Sequence, residues 1–236
     1  MKKILLLAVI IGLMINISFA QTKTGKKSGM FAGIGYSFMI YTNPDVTDIY
    51  PSFDFRTGSF NTEINPYLGY KLSETVSLEF SPSIIYSKSG GSKGFYYQST
   101  SNTNYYYLPS PAYIFAIPLN LKMRLFPFAA KGSIISKGIF FGVSAGAMFI
   151  REEYDNQIYT NENMNNLLNL RNVSNVTWAP NTLLSLGYSN DQQFSYGFEL
   201  GYRFVPLSLK RDYPLATSLA SNMNAVVLNI KIGFNF

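Results

Sequence analysis

The sequence has no cysteine and no histidine in 236 residues, and only 14% of its residues are charged. Without cysteine there is no disulfide framework, thiolate nucleophile, cysteine-ligated zinc, iron–sulfur cluster or acylated lipoprotein anchor. Without histidine there is no Ser-His relay and no imidazole metal site. Many enzyme classes are excluded on these grounds alone. Tryptophan occurs once, yet there are 18 tyrosines and 19 phenylalanines, an aromatic load that requires an explanation. Glycine (18) and proline (11) are near their usual shares, so the chain is not low-complexity. A chain of this length fits a single all-β domain.

Residues 1–20 read as a cleaved secretory leader. Lys2 and Lys3 form a positive start, Ile4 to Ile15 is apolar apart from Gly12, and Ser18-Phe19-Ala20 has the small-x-small pattern. Cleavage is expected between Ala20 and Gln21. The apolar run of roughly a dozen residues is too short to anchor, since a spanning helix needs ~20. Loss of Lys2 and Lys3 lowers the formal charge of +6 by two, and the remaining excess is scattered. Scattered charge on an exported chain does not indicate nucleic-acid binding. Residues 21–28 are expected to be a short periplasmic segment and 29–236 the folded domain.

Beyond the leader there is no apolar run of 18 residues, so no transmembrane helix is expected. A closed barrel crosses lipid differently, with strands of about ten residues that are apolar on one face. Alternation of period two marks eight such segments: Met30–Ile40, Phe60–Leu72, Val76–Tyr86, Tyr113–Leu125, Ile139–Phe149, Val176–Tyr188, Phe194–Phe204 and Val226–Phe236. In the seventh, Phe194, Tyr196, Phe198, Leu200, Tyr202 and Phe204 oppose Ser195, Gly197, Glu199, Gly201 and Arg203. The period does not say which face points inward. A soluble sandwich would bury the apolar face; a membrane barrel would turn it to lipid.

Connection lengths and charge placement favour the barrel. Ser73–Thr75 and Ser189–Gln193 are short, and Phe126–Gly138 is intermediate. The gaps 41–59, 87–112, 150–175 and 205–225 are long and polar. Alternation of short turns with four long extracellular loops is the pattern of outer-membrane barrels, and it predicts both termini in the periplasm. The polar faces carry Glu63, Lys71, Glu79, Lys122, Arg124, Glu199, Arg203 and Lys231, three acids against five bases. Sealed in a sandwich core, each would cost several kcal/mol unless paired. The apolar faces are uncharged and aromatic toward their ends, as in a lipid-facing band with interfacial girdles. The fold expected is an all-β, eight-stranded, antiparallel up-and-down transmembrane barrel, with the charges paired inside a lumen too narrow for a pore.

The C-terminus, Ile230-Lys231-Ile232-Gly233-Phe234-Asn235-Phe236, resembles the signal read by the outer-membrane barrel assembly machinery. The stretch from Tyr113 to Lys122, YIFAIPLNLK, resembles the aromatic-x-x-Ile-Pro-Leu-x-x-Lys strand of PorT-like "outer membrane protein beta-barrel" domains of Bacteroidota. That resemblance implies residence in the cell outer membrane and recognition of Phe234 and Phe236 during assembly. Because one branch of the family serves type IX secretion, it also admits a secretion-accessory role.

No constellation points to catalysis. Small-barrel enzymes that resemble lipid A acyltransferases or deacylases use a histidine, which this chain lacks. Gly90-Gly91-Ser92-Lys93-Gly94 lacks phosphate-loop spacing and reads as a flexible loop. Asp45, Asp48 and Asp54 lack an EF-hand pattern and read as solvated loop acids. No cofactor and no metal are therefore expected. Tyr96, Tyr97, Tyr105, Tyr106 and Tyr107 in the second loop read either as a girdle and prolonged strands or as a contact surface for a protein or glycan. Met164, Leu167 and Leu168 have helical spacing, suggesting a short helix over 161–172. The reading favoured is a non-catalytic outer-membrane barrel in contact with lipid and lipopolysaccharide, binding a partner through its loops or supporting the envelope. A small channel and a secreted β-sandwich binding module are the alternatives.

Overall fold

A computed structural model describes residues 29–49, 53–54, 59–60, 62–88, 95–98, 104–130, 133–161, 163, 165–190, 192–207 and 222–236. The leader with its Ala20–Gln21 junction, segment 21–28 and the 90–94 glycine stretch lie outside these residues.

The barrel is built from strands β1 (Met30–Tyr41), β4 (Thr62–Lys71), β5 (Val76–Pro82), β6 (Ile84–Lys88), β8 (Asn104–Leu125), β9 (Ile139–Tyr159), β10 (Leu167–Ser189), β11 (Phe194–Phe204) and β12 (Ala225–Asn235). Every pairing is antiparallel, and β1 bonds both β12 and β4, so the sheet closes on itself. Among the described residues the wall has eight staves, because β5 and β6 form one. Their registers against β4 and β8 are continuous. The break comes where Pro66 stands opposite Pro82, and neither residue has an N–H to offer the ladder. Ser83 repairs it: its N–H donates to Pro118 O at 2.9 Å.

Short connections at 72–75 and 190–193 define one end of the barrel, the turn end, which also holds Gly29 and Phe236. Ser73 stabilises the first turn by accepting from the Thr75 and Val76 amides. The link 126–138 carries helix α2 (Ile134–Lys137), capped by Ser133, whose hydroxyl accepts from Ser136 N. At the opposite, loop end, helix α1 (Pro44–Ile49) begins with proline, whose fixed φ and missing N–H suit a first helical turn. Three two- to four-residue strands complete the description: β2 (Phe53–Asp54) pairs β3 (Ser59–Phe60), and β7 (Phe95–Gln98) pairs β8.

The main departure from expectation is at the loop end. Strands β8, β9 and β10 run 22, 21 and 23 residues, about twice what a tilted crossing needs. Much of the two segments expected as loops, 87–112 and 150–175, is therefore sheet. Among the described residues of 161–172 the expected helix is absent, and residues 167–172 lie in β10 against 155–159 of β9. A solitary helix of that length is marginal in water, whereas β9 offers an existing row of donors and acceptors. A register shift between Leu167 and Asn169 marks where the ladder begins.

Candidate functional site

Alternation along each strand puts one face toward the axis, and the charged face is the inward one. Seven of the eight predicted lumen charges are buried and ion-paired inside the barrel. Lys122 Nζ donates to both carboxylate oxygens of Glu199, at 2.6 and 2.8 Å. Glu79 accepts from Lys231 Nζ at 2.6 Å and is in contact with Arg124. Lys231 lies 3.6 Å from Glu199 as well, which links the two groups into one cluster. Nearer the loop end, Arg203 Nη2 binds Glu63, which also accepts from Ser83 Oγ. Lys71, the eighth, is half-buried at the turn-end rim of β4. Such pairs need each other: taking one partner from a buried pair leaves an uncompensated charge.

The lumen is layered. At the turn end Phe31, Tyr67 and Phe140 point inward, and the Arg124 guanidinium lies 5.4, 6.0 and 5.1 Å from their ring centres, in cation–π range. Glycines make room for these rings. A Cβ on Gly187 would meet Phe140 Cζ at 2.5 Å, and one on Gly69 would meet the Phe31 ring. Next come the ion pairs, with amide bridges from Asn65 to Ser37 (3.1 Å) and from Asn181 to Asn120 (2.9 Å). Above them an apolar cluster fills the loop-end half: Met39, Ile85, Ile114, Met148, Val205 and Val227 are among its members, each at most 2% exposed. Val46 of α1 is packed into it. Among the described residues this cap closes the lumen.

Sequence reasoning missed both the cap and the inward aromatic layer. A signal existed: toward the loop end the inward positions turn from polar to apolar, at Met39 and Tyr41, Ile114, Met148 and Ile150, and Val205. Both faces are then apolar, so a period-two reading loses its contrast there.

Outside, the polarity is reversed relative to a soluble protein. Ile34, Ile64, Phe80, Leu121, Phe141, Leu184, Leu200 and Ile230, one from each stave, are between 48% and 57% exposed. Aromatic pairs edge this belt at both ends. Phe194–Phe234 (5.6 Å) and Tyr188–Tyr196 (6.4 Å) lie at the turn end, Phe149–Trp178 (5.4 Å) and Tyr202–Phe204 (4.7 Å) at the loop end. On β9 the first outward charges beyond the belt are Arg151 and Glu153, which pair with each other. The C-terminal aromatics sit at the turn-end rim. Phe234 is exposed, and the Phe236 amide donates to Met30 O at 2.9 Å, extending barrel closure to the last residue.

The loop tyrosines lie in a hairpin above the belt. Tyr96 and Tyr97 of β7 pair with Tyr106 and Tyr105 of β8, and Tyr107 pairs with Phe95. On its other side β8 bonds β9, Tyr106 opposite Tyr159. These residues are thus brought together in one sheet, β7-β8-β9-β10, standing on the barrel wall. The side chains of Asp45, Asp48 and Asp54 lie outside the described residues.

No protein-family model matches the chain, and no curated protein matches it. In overall structure it is similar to Neisserial surface protein A, at 9% identity over 89% of this chain and 99% of that one, with a TM-score of 0.46. It is also similar to Ail, the attachment invasion locus protein of Yersinia pestis (7% identity, 89% and 98% coverage, TM-score 0.43). A third similar structure is the N-terminal β-barrel domain of Pseudomonas aeruginosa OprF (13%, 89% and 100%, 0.39).

Proposed function

We propose that this chain is a non-catalytic integral protein of the outer membrane, whose barrel anchors and displays the β7–β10 sheet for contact with a protein or glycan. The observation that carries the membrane reading is the reversed polarity: buried ion pairs inside, and an uncharged apolar belt on all eight staves outside. In water that belt would be one continuous apolar patch, far beyond what soluble monomers tolerate. In lipid it is the required surface, and a closed sheet leaves no unpaired edge in the hydrocarbon. Tyrosine offers contact area at low entropy cost, and the gathering of five tyrosines in this one sheet supports binding over mere support. Assembly through the C-terminal Phe234 and Phe236, and a secretion-accessory role of the PorT type, belong to this same reading. The channel alternative is disfavoured by the apolar cap across the lumen.

The test is fractionation with surface labelling. Mature protein beginning at Gln21 is expected in the outer membrane, with the tyrosine hairpin labelled on intact cells. Recovery as a soluble periplasmic protein would refute the membrane reading. Crosslinking from the hairpin should capture a partner that is lost when Tyr105 and Tyr107 become serine, and unaltered capture would refute the display role. Planar-bilayer recordings should show no stable conductance.

A further inference from the structure

Strand β10 is paired on both sides only in its turn-end half. Its ladder to β9 runs from Leu167 to Tyr188, whereas β11 reaches no farther than Thr182, opposite Phe204. Continued in the same register, that ladder would set Pro206 against Pro180, and neither has an N–H to give. Val205 and Pro206 remain bonded on the β12 side instead, through Met223 N to Val205 O and the Pro206–Asn222 bridge. Beyond the girdle residue Trp178, the β11-facing edge of Leu167–Thr177 therefore pairs with nothing among the described residues.

Natural sheets guard such edges with lysine, proline or a bulge. Asn172–Ala179 contains no charge, no proline and no glycine, and Val173, Val176, Thr177 and Trp178 are residues that suit strands. The register shift lies away at the tip, between Leu167 and Asn169. Val176 and Trp178 are 60% exposed, and Leu168 and Leu170 57%. An edge of this kind invites another strand.

We propose that the open edge of β10 docks an extended segment of a partner protein, which adds to the sheet as a further strand. The edge offers backbone donors and acceptors at strand spacing, and another polypeptide backbone is the group that matches them. A second copy in the same membrane does not. Strands tilted by about 35–45° in two upright barrels cross at about 70–90°, far from the alignment of a ladder. The docked segment is uncharged opposite Asn172–Thr177, with apolar side chains at alternate positions beside Leu170 and Val176. Such docking rests on the display role proposed above and narrows its partner to a protein.

The experiment uses full-length mature protein folded in micelles, with a short peptide of alternating threonine and valine as the probe. N-methylation at every second residue leaves the peptide one pairing edge, so it cannot stack on itself. Amide exchange followed by NMR should show alternate residues of Asn172–Thr177 exchanging rapidly in the free protein and protected by the probe. The same peptide methylated at every residue should give no protection. Ser174→Lys with Val176→Lys guards the edge and should weaken probe binding. Protection already present in the free protein would mean that the chain covers its own edge. That result, no protection by the probe, equal protection by the fully methylated peptide, or undiminished binding in the double variant would each overturn the proposal. Should the double variant fail to fold, the wild-type exchange pattern decides. On intact cells, crosslinked capture from the hairpin should be lost in the same variant. Capture that persists overturns edge docking and leaves the display role standing; no capture even in the wild type refutes the display role, and the docking with it.

Discussion

Arg203 reaches across the lumen to Glu63, placing Nη2 at 3.0 and 2.8 Å from its two carboxylate oxygens. The pair joins β11 to β4, which are separated in the wall by β12 and β1. It lies directly beneath the apolar cap, and Arg203 Nη1 also contacts Met39 Sδ at 3.3 Å. Arg203→Met alone should destabilise the barrel by about 3–5 kcal/mol, because Glu63 is left buried and unpaired. Arg203→Met combined with Glu63→Leu should recover most of that loss. A double-mutant cycle by reversible unfolding in micelles measures it; additive effects would mean that the pair does not couple the two strands.

The lipid face carries a second prediction. Leu200 lies mid-strand on β11 and is 55% exposed, whereas its near neighbour Ser195 points into the lumen. Leu200→Arg should cost about 2–4 kcal/mol when folding is measured into bilayers. Ser195→Thr should cost much less. Equal penalties would show that the lipid and lumen faces are reversed.

Close packing at the turn end depends on Gly187. A Cβ there would meet Phe140 Cζ at 2.5 Å and Phe198 O at 2.6 Å. The backbone oxygen cannot step aside, so Gly187→Ala should destabilise by about 1–3 kcal/mol, the usual range for overpacking. Phe140→Leu in the same chain relieves only the ring clash, and partial rescue is the expected outcome.

Deletion of Phe236 separates assembly from stability. The folded barrel loses one ring and one hydrogen bond to Met30, a loss of about 2 kcal/mol. Folding from urea into detergent should therefore be near normal. If the C-terminal aromatic is read during assembly, the truncated chain should linger in cells with its apolar strands unpaired and be degraded. Low outer-membrane yield is expected; yield equal to the parent's would make Phe236 a girdle residue only.

Sequence alone determined the parts of this protein that depend on strict alternation. The eight segments, their faces, the turns at 73–75 and 189–193 and all seven buried ion-pair members were readable, because a strand turns every second residue to the same side. Which acid meets which base was not readable. Glu199 pairs with Lys122 from 77 positions away and Glu79 with Lys231 from 152; only closure of the sheet brings them together. Tertiary structure also decided the loop-end half. There Ile114, Met148 and Val205 are apolar on the inward face while the outward face is apolar too, so periodicity carries no information about direction. The same holds for 167–172, where local spacing favoured a helix. The neighbouring β9 supplied a pairing edge that no local propensity could reveal, and long-range hydrogen bonding overrode the helical pattern.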